Sequence, residues 1–412
     1  MKKIIHFSGT YINDGATKSV INLNNFLNLK KEIKSKIFML NSNSEIYHNI
    51  DYLNKNFISK LNFKFKNIIH NILIRFFKKE YSFAFFLDYI KSDILNILKK
   101  EDPNIVHFHW IPRLIELKDI KKIDQKIIIT MRDYWLITGG CNYPVNCKKF
   151  YKYCNTCPHL RFSIKKDLSY FQFKSKRREL LDLKKKLHIV VLSKEMKKEI
   201  LKLNIFKTKN ISLIPNSIDN NKFFKTDKLI ERKRLKIFTQ KKIILFGAQN
   251  LEQEWKGLKF LIDILKLKDN SNLFLLTFGE ISNPSKNIIN NYIEAKHFGY
   301  CNDDKLKSIY NAADVFLFCS TIETFGKVIL ESLFCHTPVL AFDRYAARDI
   351  ITHKKDGYLA KFNDIKDFHN GISICLSLTY KNSKNEYNKK INNYSLDTMG
   401  KKYLNLYNSI LS

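Results

Sequence analysis

Short apolar runs alternate with helically spaced stretches along both halves of this chain, and that alternation leaves few architectures open. Lys3–Phe7, Ile105–Trp110 and Lys126–Thr130 read as strands in the first half; 241–247, 272–279, 314–319 and 338–342 do so in the second. Between strands the period changes, as in the helix that carries Val20, Leu23 and Leu27. Strands separated by helices cross over into parallel sheets covered on both faces. At 412 residues with 45% apolar content, the chain exceeds the usual size of one core. The expectation is α/β, with two doubly wound parallel sheets.

One strand-to-helix junction carries two carboxylates at a telling spacing. Asp314–Cys319 reads as a buried strand, Phe325–Phe334 has helical apolar spacing, and Gly326 falls where the helix begins. Unpaired backbone N–H groups at such a start favour an anion, for example a diphosphate. Glu323 lies in the loop before the helix and Glu331 about two turns into it, so one ligand can meet both through its hydroxyls. A nucleotide-sugar has that layout: sugar hydroxyls, diphosphate, ribose hydroxyls.

Followed by Ser332-Leu333-Phe334 and Thr337–Ala341, this string resembles the Glu-x7-Glu signature of glycosyltransferase family 4, retaining enzymes of the GT-B fold. Ile214–Asp219, with Phe223 after it, is similar to that family's interdomain linker, with Ser217 where Gly is commoner. Lys241 to Gly247 is a strand ending in Gly, and Lys256-Gly257 resembles the basic element at the donor diphosphate; Ala248 stands where relatives often carry Arg. The resemblance implies two Rossmann-like domains facing across a cleft: 1–217 on the acceptor side, 218–394 binding the nucleotide-sugar, and a helix over 395–412 crossing back. It implies Glu323 near the transferred sugar, Glu331 on the ribose, and Gly247, Lys256 and the Phe325 and Gly326 amides at the diphosphate, with no metal at the reaction centre.

In the amino-terminal half, Ile105–Trp110 and the run Met131-Arg132-Asp133-Tyr134-Trp135 through Tyr143 look like the subgroup that builds bacterial exopolysaccharide and lipopolysaccharide. Arg132 stands where many relatives have His, and it cannot act as a neutral base at pH 7. Arg132 and Asp133 join Glu323 as catalytic candidates, and His109 is an acceptor-side candidate. The loop Ser8–Ala16 opens a helix, and the resemblance puts Gly15 and Ala16 at the donor phosphates. The implied partners are a nucleoside diphosphate-sugar and a growing, lipid-linked glycan.

Four of the eight cysteines, Cys141, Cys147, Cys154 and Cys157, fall within seventeen residues at spacings x5, x6 and x2, inside the loop 131–160. Pro144 and Pro158 interrupt regular structure there. Four thiolates suit one tetrahedral structural zinc; a disulfide pair and free thiols remain the other readings. Cys301, Cys319, Cys335 and Cys375 lie in or beside apolar segments and read as small buried hydrophobes.

The net charge of +33 draws such a chain to anionic lipid, to acidic sugars or, without specificity, to nucleic acid. Between Lys60 and Lys79 there are six lysines and arginines and no acid, while Phe65, Ile68, Ile69, Ile72 and Phe76 fall at helical spacing. This basic amphipathic helix suits either an anionic membrane interface or an ordinary core face with a solvated edge. Lys174–Lys186 is a second basic stretch on a helix. No early apolar run reaches signal-peptide length, and none approaches the roughly 18 residues that span a bilayer. The expectation is a cytoplasmic protein, working on its own or peripherally at the inner face of the plasma membrane. Three readings follow: a retaining glycosyltransferase, a basic, zinc-containing nucleic-acid-binding protein that leaves Glu323–Glu331 unexplained, and an inactive scaffold suggested by Arg132 and Ala248.

Overall fold

Isoleucine, valine, leucine and phenylalanine stiffen the apolar runs into strands, and their length allows burial on both faces. In the computed structural model, which describes residues 1–9, 15–40, 50–53, 57–79, 85–90, 92–144, 146–267, 270–378 and 380–412, the chain divides into two units. Met1–Pro215 with Met399–Ser412 makes the first, and Asn216–Thr398 makes the second.

The first unit is built on a sheet of β1 (Lys2–Ser8), β2 (Ile33–Met39), β3 (Ile50–Tyr52), β4 (Ile105–His109), β5 (Lys126–Thr130), β6 (Leu187–Val191) and β7 (Ile211–Leu213). The second holds β8 (Lys242–Asn250), β9 (Leu273–Glu280), β10 (Ala295–His297), β11 (Val315–Phe318), β12 (Val339–Phe342) and β13 (Gly357–Ala360). Their orders are β3-β2-β1-β4-β5-β6-β7 and β10-β9-β8-β11-β12-β13. The strands pair in parallel, with Ile4 opposite Ile105 and Val315 opposite Ile244. The order in which strands are added therefore reverses between β1 and β4, and again between β8 and β11. At such a switch point the flanking loops separate and leave a crevice at the carboxyl ends of the strands, where open α/β sheets bind ligands.

β8 runs three residues past Gly247, because a register irregularity between Gly247 and Asn250 lets pairing with β9 resume at Glu280. Helices cover the sheets: Leu258–Leu265 lays Leu258, Leu261, Ile264 and Leu265 into the core of the second unit. Polar caps start several of them. The Asn302 side chain accepts from the Lys305 N–H, and Ser193 accepts from Met196. Within the first unit, Gly400 of the helix Leu396–Leu411 lies on the Phe26 ring, where a Cβ would come within 2.3 Å of Cδ1.

The basic helix spans Phe57–Phe77, and the structure decides which way it faces. Phe57 is 80% exposed and Ile58 74%, and Leu61, Phe65, Ile68, Ile72 and Phe76 continue the exposed stripe. The opposite side, with Leu73, Ile74 and Phe77, packs on the cluster of Phe85, Leu87, Cys141, Cys157 and Leu160. The core-facing alternative thus applies only to the narrower side. Among the described residues no helix is long and apolar enough to cross a membrane.

Gly257 sits at φ +82°, and a Cβ there would lie 2.2 Å from the Cys319 carbonyl oxygen. Gly257→Ala should destabilise the second unit by roughly 2–4 kcal/mol, the range for strain combined with steric overlap. Chemical unfolding followed by circular dichroism would measure it; a change within 0.5 kcal/mol would show that the loop relaxes freely.

Candidate active site

At the second switch point, the loop after β8 turns through the 3-10 segment Glu254–Lys256 while the loop after β11 runs from Cys319 to Gly326. The Thr321 N–H donates to the Trp255 carbonyl at 2.9 Å, binding the two loops together. Lys256 and Glu323, 67 positions apart, meet as an ion pair at 2.9 Å, each side chain 19% exposed. The Glu323 carboxylate also accepts from the Thr324 N–H at 3.2 Å. Gly326 has φ +74°, a left-handed turn that suits glycine, and opens the helix Lys327–Phe334. Its first N–H groups have no intrahelical acceptor. Phe325 packs its side chain inward and leaves its amide at this start.

Glu331 is buried on that helix. The Tyr310 hydroxyl donates to its Oε2 at 3.1 Å, and Lys327 lies 3.5 Å from its Oε1 one turn back. Burial, with Glu331 alongside, pushes the Tyr310 hydroxyl well above the usual phenol range and keeps it a donor. Sequence reasoning missed both partners. Lys327 was discoverable from the i,i+4 spacing to Glu331; Tyr310 was not, because its contact depends on packing of separate helices. Gly247 passes beneath the Phe278 ring, where a Cβ would come within 2.2 Å, and Ala248 is buried beside it.

At the first switch point the chemistry is different, because β1 and β4 bring three imidazoles together. The ligand atoms of His6, His107 and His109 lie within 4.8 Å of one another and all three rings are buried. Hydrogen bonds engage this trio. His107 Nδ1 meets the Tyr407 hydroxyl and its Nε2 meets Thr130 Oγ1, both at 2.8 Å. His109 Nε2 lies 3.0 Å from His6 Nδ1, and Arg132 Nη2 reaches His109 Nδ1 at 3.3 Å. Guanidinium only donates, so His109 Nδ1 accepts, its Nε2–H donates to His6, and His6 carries its proton on Nε2. Burial pulls His6 down to about 3 and holds His107 and His109 well below the ordinary range. All three are neutral at pH 7, and His107 has no ring nitrogen left for a metal.

Asp133 accepts from the Trp110 indole N–H at 2.6 Å and from the Trp135 backbone N–H at 2.8 Å. Burial pushes its carboxyl up to about 6 against the pull of those donors. Trp110 has φ +59°, and the loop fits because residue 9 is glycine: a Cβ there would lie 2.6 Å from the Trp110 carbonyl oxygen. Gly15 opens the helix Gly15–Asn28, its carbonyl accepting from Ser19 Oγ. The Ala16 side chain and the loop at 10–14 lie outside the described residues. The structure thus brings His109 and Arg132 into contact and sets Asp133 against Trp110, and separately joins Lys256 to Glu323.

Cys141, Cys147, Cys154 and Cys157 are free thiols lining one small cavity. Elsewhere in the first unit a cavity of about 580 Å³ is lined by Lys152, Lys165, Lys166, Lys174, Arg177 and Arg178, with Tyr153 and Tyr170 in its wall.

Two parallel-sheet Rossmann-like domains, each with a loop-lined switch point, define the GT-B class of fold. Residues 227–395, nearly all of the second unit, match the family described as Glycosyl transferases group 1. An uncharacterised glycosyltransferase of Methanocaldococcus jannaschii is 24% identical over 246 residues, 56% of this chain and 62% of that protein. The Escherichia coli glycosyl transferase WcaC, named for colanic acid biosynthesis, is 24% identical over 270 residues, 62% of this chain and 64% of its own length. The chain therefore spans a little under two thirds of the length of these two relatives. The fold follows that of sucrose-phosphate synthase from Thermosynechococcus elongatus over 100% of this chain and 99% of that one (TM-score 0.71, 14% identity). It also follows that of an Anabaena protein, HepE, solved with UDP and glucose, over 99% and 100% (TM-score 0.65, 13% identity).

The imidazole cluster gives the first unit an acid-sensitive core. Histidines depressed in the folded state contribute stability that is full above the unfolded value near 6.5 and is lost as pH falls. Asp133 and Asp88, both raised to about 6 by burial, act oppositely, taking up protons in the folded state first. Three histidines outweigh two carboxyls, so stability should fall between pH 6.5 and 4.5 by roughly 1.4 kcal/mol per pH unit for each net proton. Denaturant unfolding at pH 7, 6 and 5 reads this slope, and His109→Gln should flatten it; an unchanged slope would contradict the assignment.

Proposed function

We propose that this protein is a retaining glycosyltransferase that moves a sugar from a nucleoside diphosphate donor to a growing, lipid-linked bacterial surface glycan. The observation that carries the reading is the Lys256–Glu323 pair beside the Gly326 helix start, with Glu331 on the same helix. The diphosphate would sit against the Phe325 and Gly326 amides, with Lys256 shared between phosphate and Glu323. Glu331, held by Tyr310 and Lys327, would accept from the ribose hydroxyls, and Glu323 from a hydroxyl of the sugar. As the bond from the anomeric carbon to the phosphate breaks, its electron pair and negative charge move to the departing diphosphate. Fixed N–H dipoles and an ammonium already at that position favour the departure. The charge is thus met by groups of the chain itself, and no metal is required at the reaction centre.

On the acceptor side, both His109 nitrogens and both Asp133 oxygens are engaged within the protein. In this reading those residues, with Arg132, shape the acceptor pocket; the acceptor oxygen bonds to the anomeric carbon on the face the phosphate leaves, and its proton passes to the departing phosphate. The relative named for colanic acid biosynthesis supports a surface-glycan product, and the Anabaena structure with UDP supports a nucleotide-sugar donor. The cation-lined cavity favours a second use of the positive charge, binding of an anionic glycan or, without specificity, nucleic acid.

The exposed stripe of Phe57–Phe77, edged by Lys60, Lys64 and Arg75, supports docking on anionic lipid at the inner face of the plasma membrane. A lipid-linked acceptor stays in the bilayer, so an interfacial helix would keep the enzyme beside it. Flotation with anionic liposomes should be salt-sensitive and should drop at least tenfold in Phe65→Glu/Ile72→Glu; equal flotation of the variant would remove this element.

A panel of nucleoside diphosphates and their sugar conjugates, assayed by thermal shift without added metal, tests the donor site. One base should stabilise the protein selectively, and Glu331→Ala should weaken that binding by about 1–3 kcal/mol. No stabilisation by any member would turn the reading toward an inactive scaffold, and unchanged affinity in the variant would sink the ribose assignment.

A further inference from the structure

From the end of β5 at Thr130 to the helix that starts at Leu168, the described residues make only two short 3-10 turns, Trp135–Ile137 and Lys149–Tyr151. A connection this long without regular structure is uncommon inside a domain unless something braces it. Its two ends are tied to the segment 77–86, by Phe86 N–H to Gly140 and Arg161 N–H to Phe77, while the bonds around the cysteines are local: Cys147 N–H to Pro144, Leu160 N–H to Cys157, and Cys157 N–H to Asp167 Oδ2. Yet much of it is buried, including Cys141, Phe150, Cys154 and Cys157. At its centre the four cysteines line a cavity of about 10 Å³, room for one water-sized body.

We propose that Cys141, Cys147, Cys154 and Cys157 hold one zinc ion as four thiolates, tying the loop to the inner side of the helix Phe57–Phe77. Besides apolar Phe85, Pro144 and Phe150 the cavity wall includes Thr138, Asn155, His159 and Ser169 but no carboxylate, and a set of four sulfurs selects a thiophilic ion over calcium or magnesium. Thr156 turns through φ +37° between Cys154 and Cys157, folding the x2 pair back on itself. The Gly139 N–H donates to Cys154 Sγ at 3.2 Å, the kind of bond that steadies a ligating sulfur. The buried Lys176 and the cavity-lining Lys149 supply positive charge beside the tetrathiolate.

Tetrahedral bonds of about 2.3 Å put sulfurs roughly 3.8 Å apart. The four sulfurs ring the cavity more widely than the 4.8 Å spacing met by the histidine trio. A change of χ1 carries a sulfur through roughly 3 Å, so closing the ring around an ion would require rotamer changes of the cysteines. The step balances as one Zn2+ and four thiols giving a tetrathiolate of charge −2 and four protons; nothing is oxidised. Cys141 and Cys157 also pack with Phe85 and Leu160 beneath Leu73, Ile74 and Phe77. The ion would therefore anchor the loop and the inner face of the exposed helix together.

The full chain, purified under reducing conditions, should carry one zinc per molecule by elemental analysis. A thiol-specific mercurial should release it in step with the cysteines. Cobalt exchanged for zinc should give the intense visible absorption of tetrahedral thiolate coordination. Cys154→Ser/Cys157→Ser should lose the metal and lower the thermal midpoint by about 5 °C or more. If that variant fails to fold, mercurial release and the cobalt spectrum of the wild-type protein decide the matter. Folded wild-type protein with only trace zinc and no uptake of added metal would overturn the proposal, as would a disulfide joining any two of the four.

Discussion

The close approach of Gly257 to the Cys319 carbonyl is the contact on which the proposed donor site depends. Without a side chain at 257, the turn after β8 can lie directly on the end of β11, and a Cβ would be 2.2 Å from that oxygen. Two loops that separate at a switch point are thereby drawn onto one surface. The Thr321-to-Trp255 hydrogen bond and the Lys256–Glu323 ion pair follow from that geometry. Glycine serves the same end at Gly247 beneath Phe278 and at Gly9 against Trp110. In each case the backbone is packed closer than any side chain would permit.

The two switch points are built in opposite electrostatic styles. The second keeps charged groups partly open to solvent: Lys256 and Glu323 are paired but retain exposed atoms, and Lys327 shields Glu331. Such groups can exchange partners when a charged ligand arrives. The first is sealed and uncharged at its imidazoles, because burial makes three imidazolium ions in one place too costly. Arg132 sets the direction of every proton in the line through His109 to His6. In the proposed reaction the charged switch point would meet the departing phosphate and the sealed one would give shape.

Not all apolar surface is absorbed by the sheets. The helix Phe57–Phe77 offers one stripe to the protein and a broader one outward. The loop beneath it is irregular, and its four thiols line one small cavity. Docked helix and cysteine loop share Cys141 and Cys157, so whatever stiffens the loop also sets the base from which the exposed stripe projects.

Much of this was legible from the residues alone. Periods of two kinds of element, repeated along the chain, are local properties of φ/ψ preference and burial, and they marked two doubly wound sheets. The Glu323–Glu331 string was legible for the same reason, since strand, turn and helix lie within one short segment. The Lys327 partner followed a helical spacing as well. Tertiary structure alone decided the rest. Tyr310 reaches Glu331, His107 reaches Tyr407 300 residues away, and Asp133 spends both oxygens on Trp110 and Trp135. An amphipathic period states that a helix has two faces but not what covers each, so only packing showed Phe65 and Ile72 outward and Leu73 and Ile74 inward. Local pattern fixes which groups a segment presents; the partners that set their charge, tautomer and exposure come from segments distant in sequence, and those meet only when the sheets assemble.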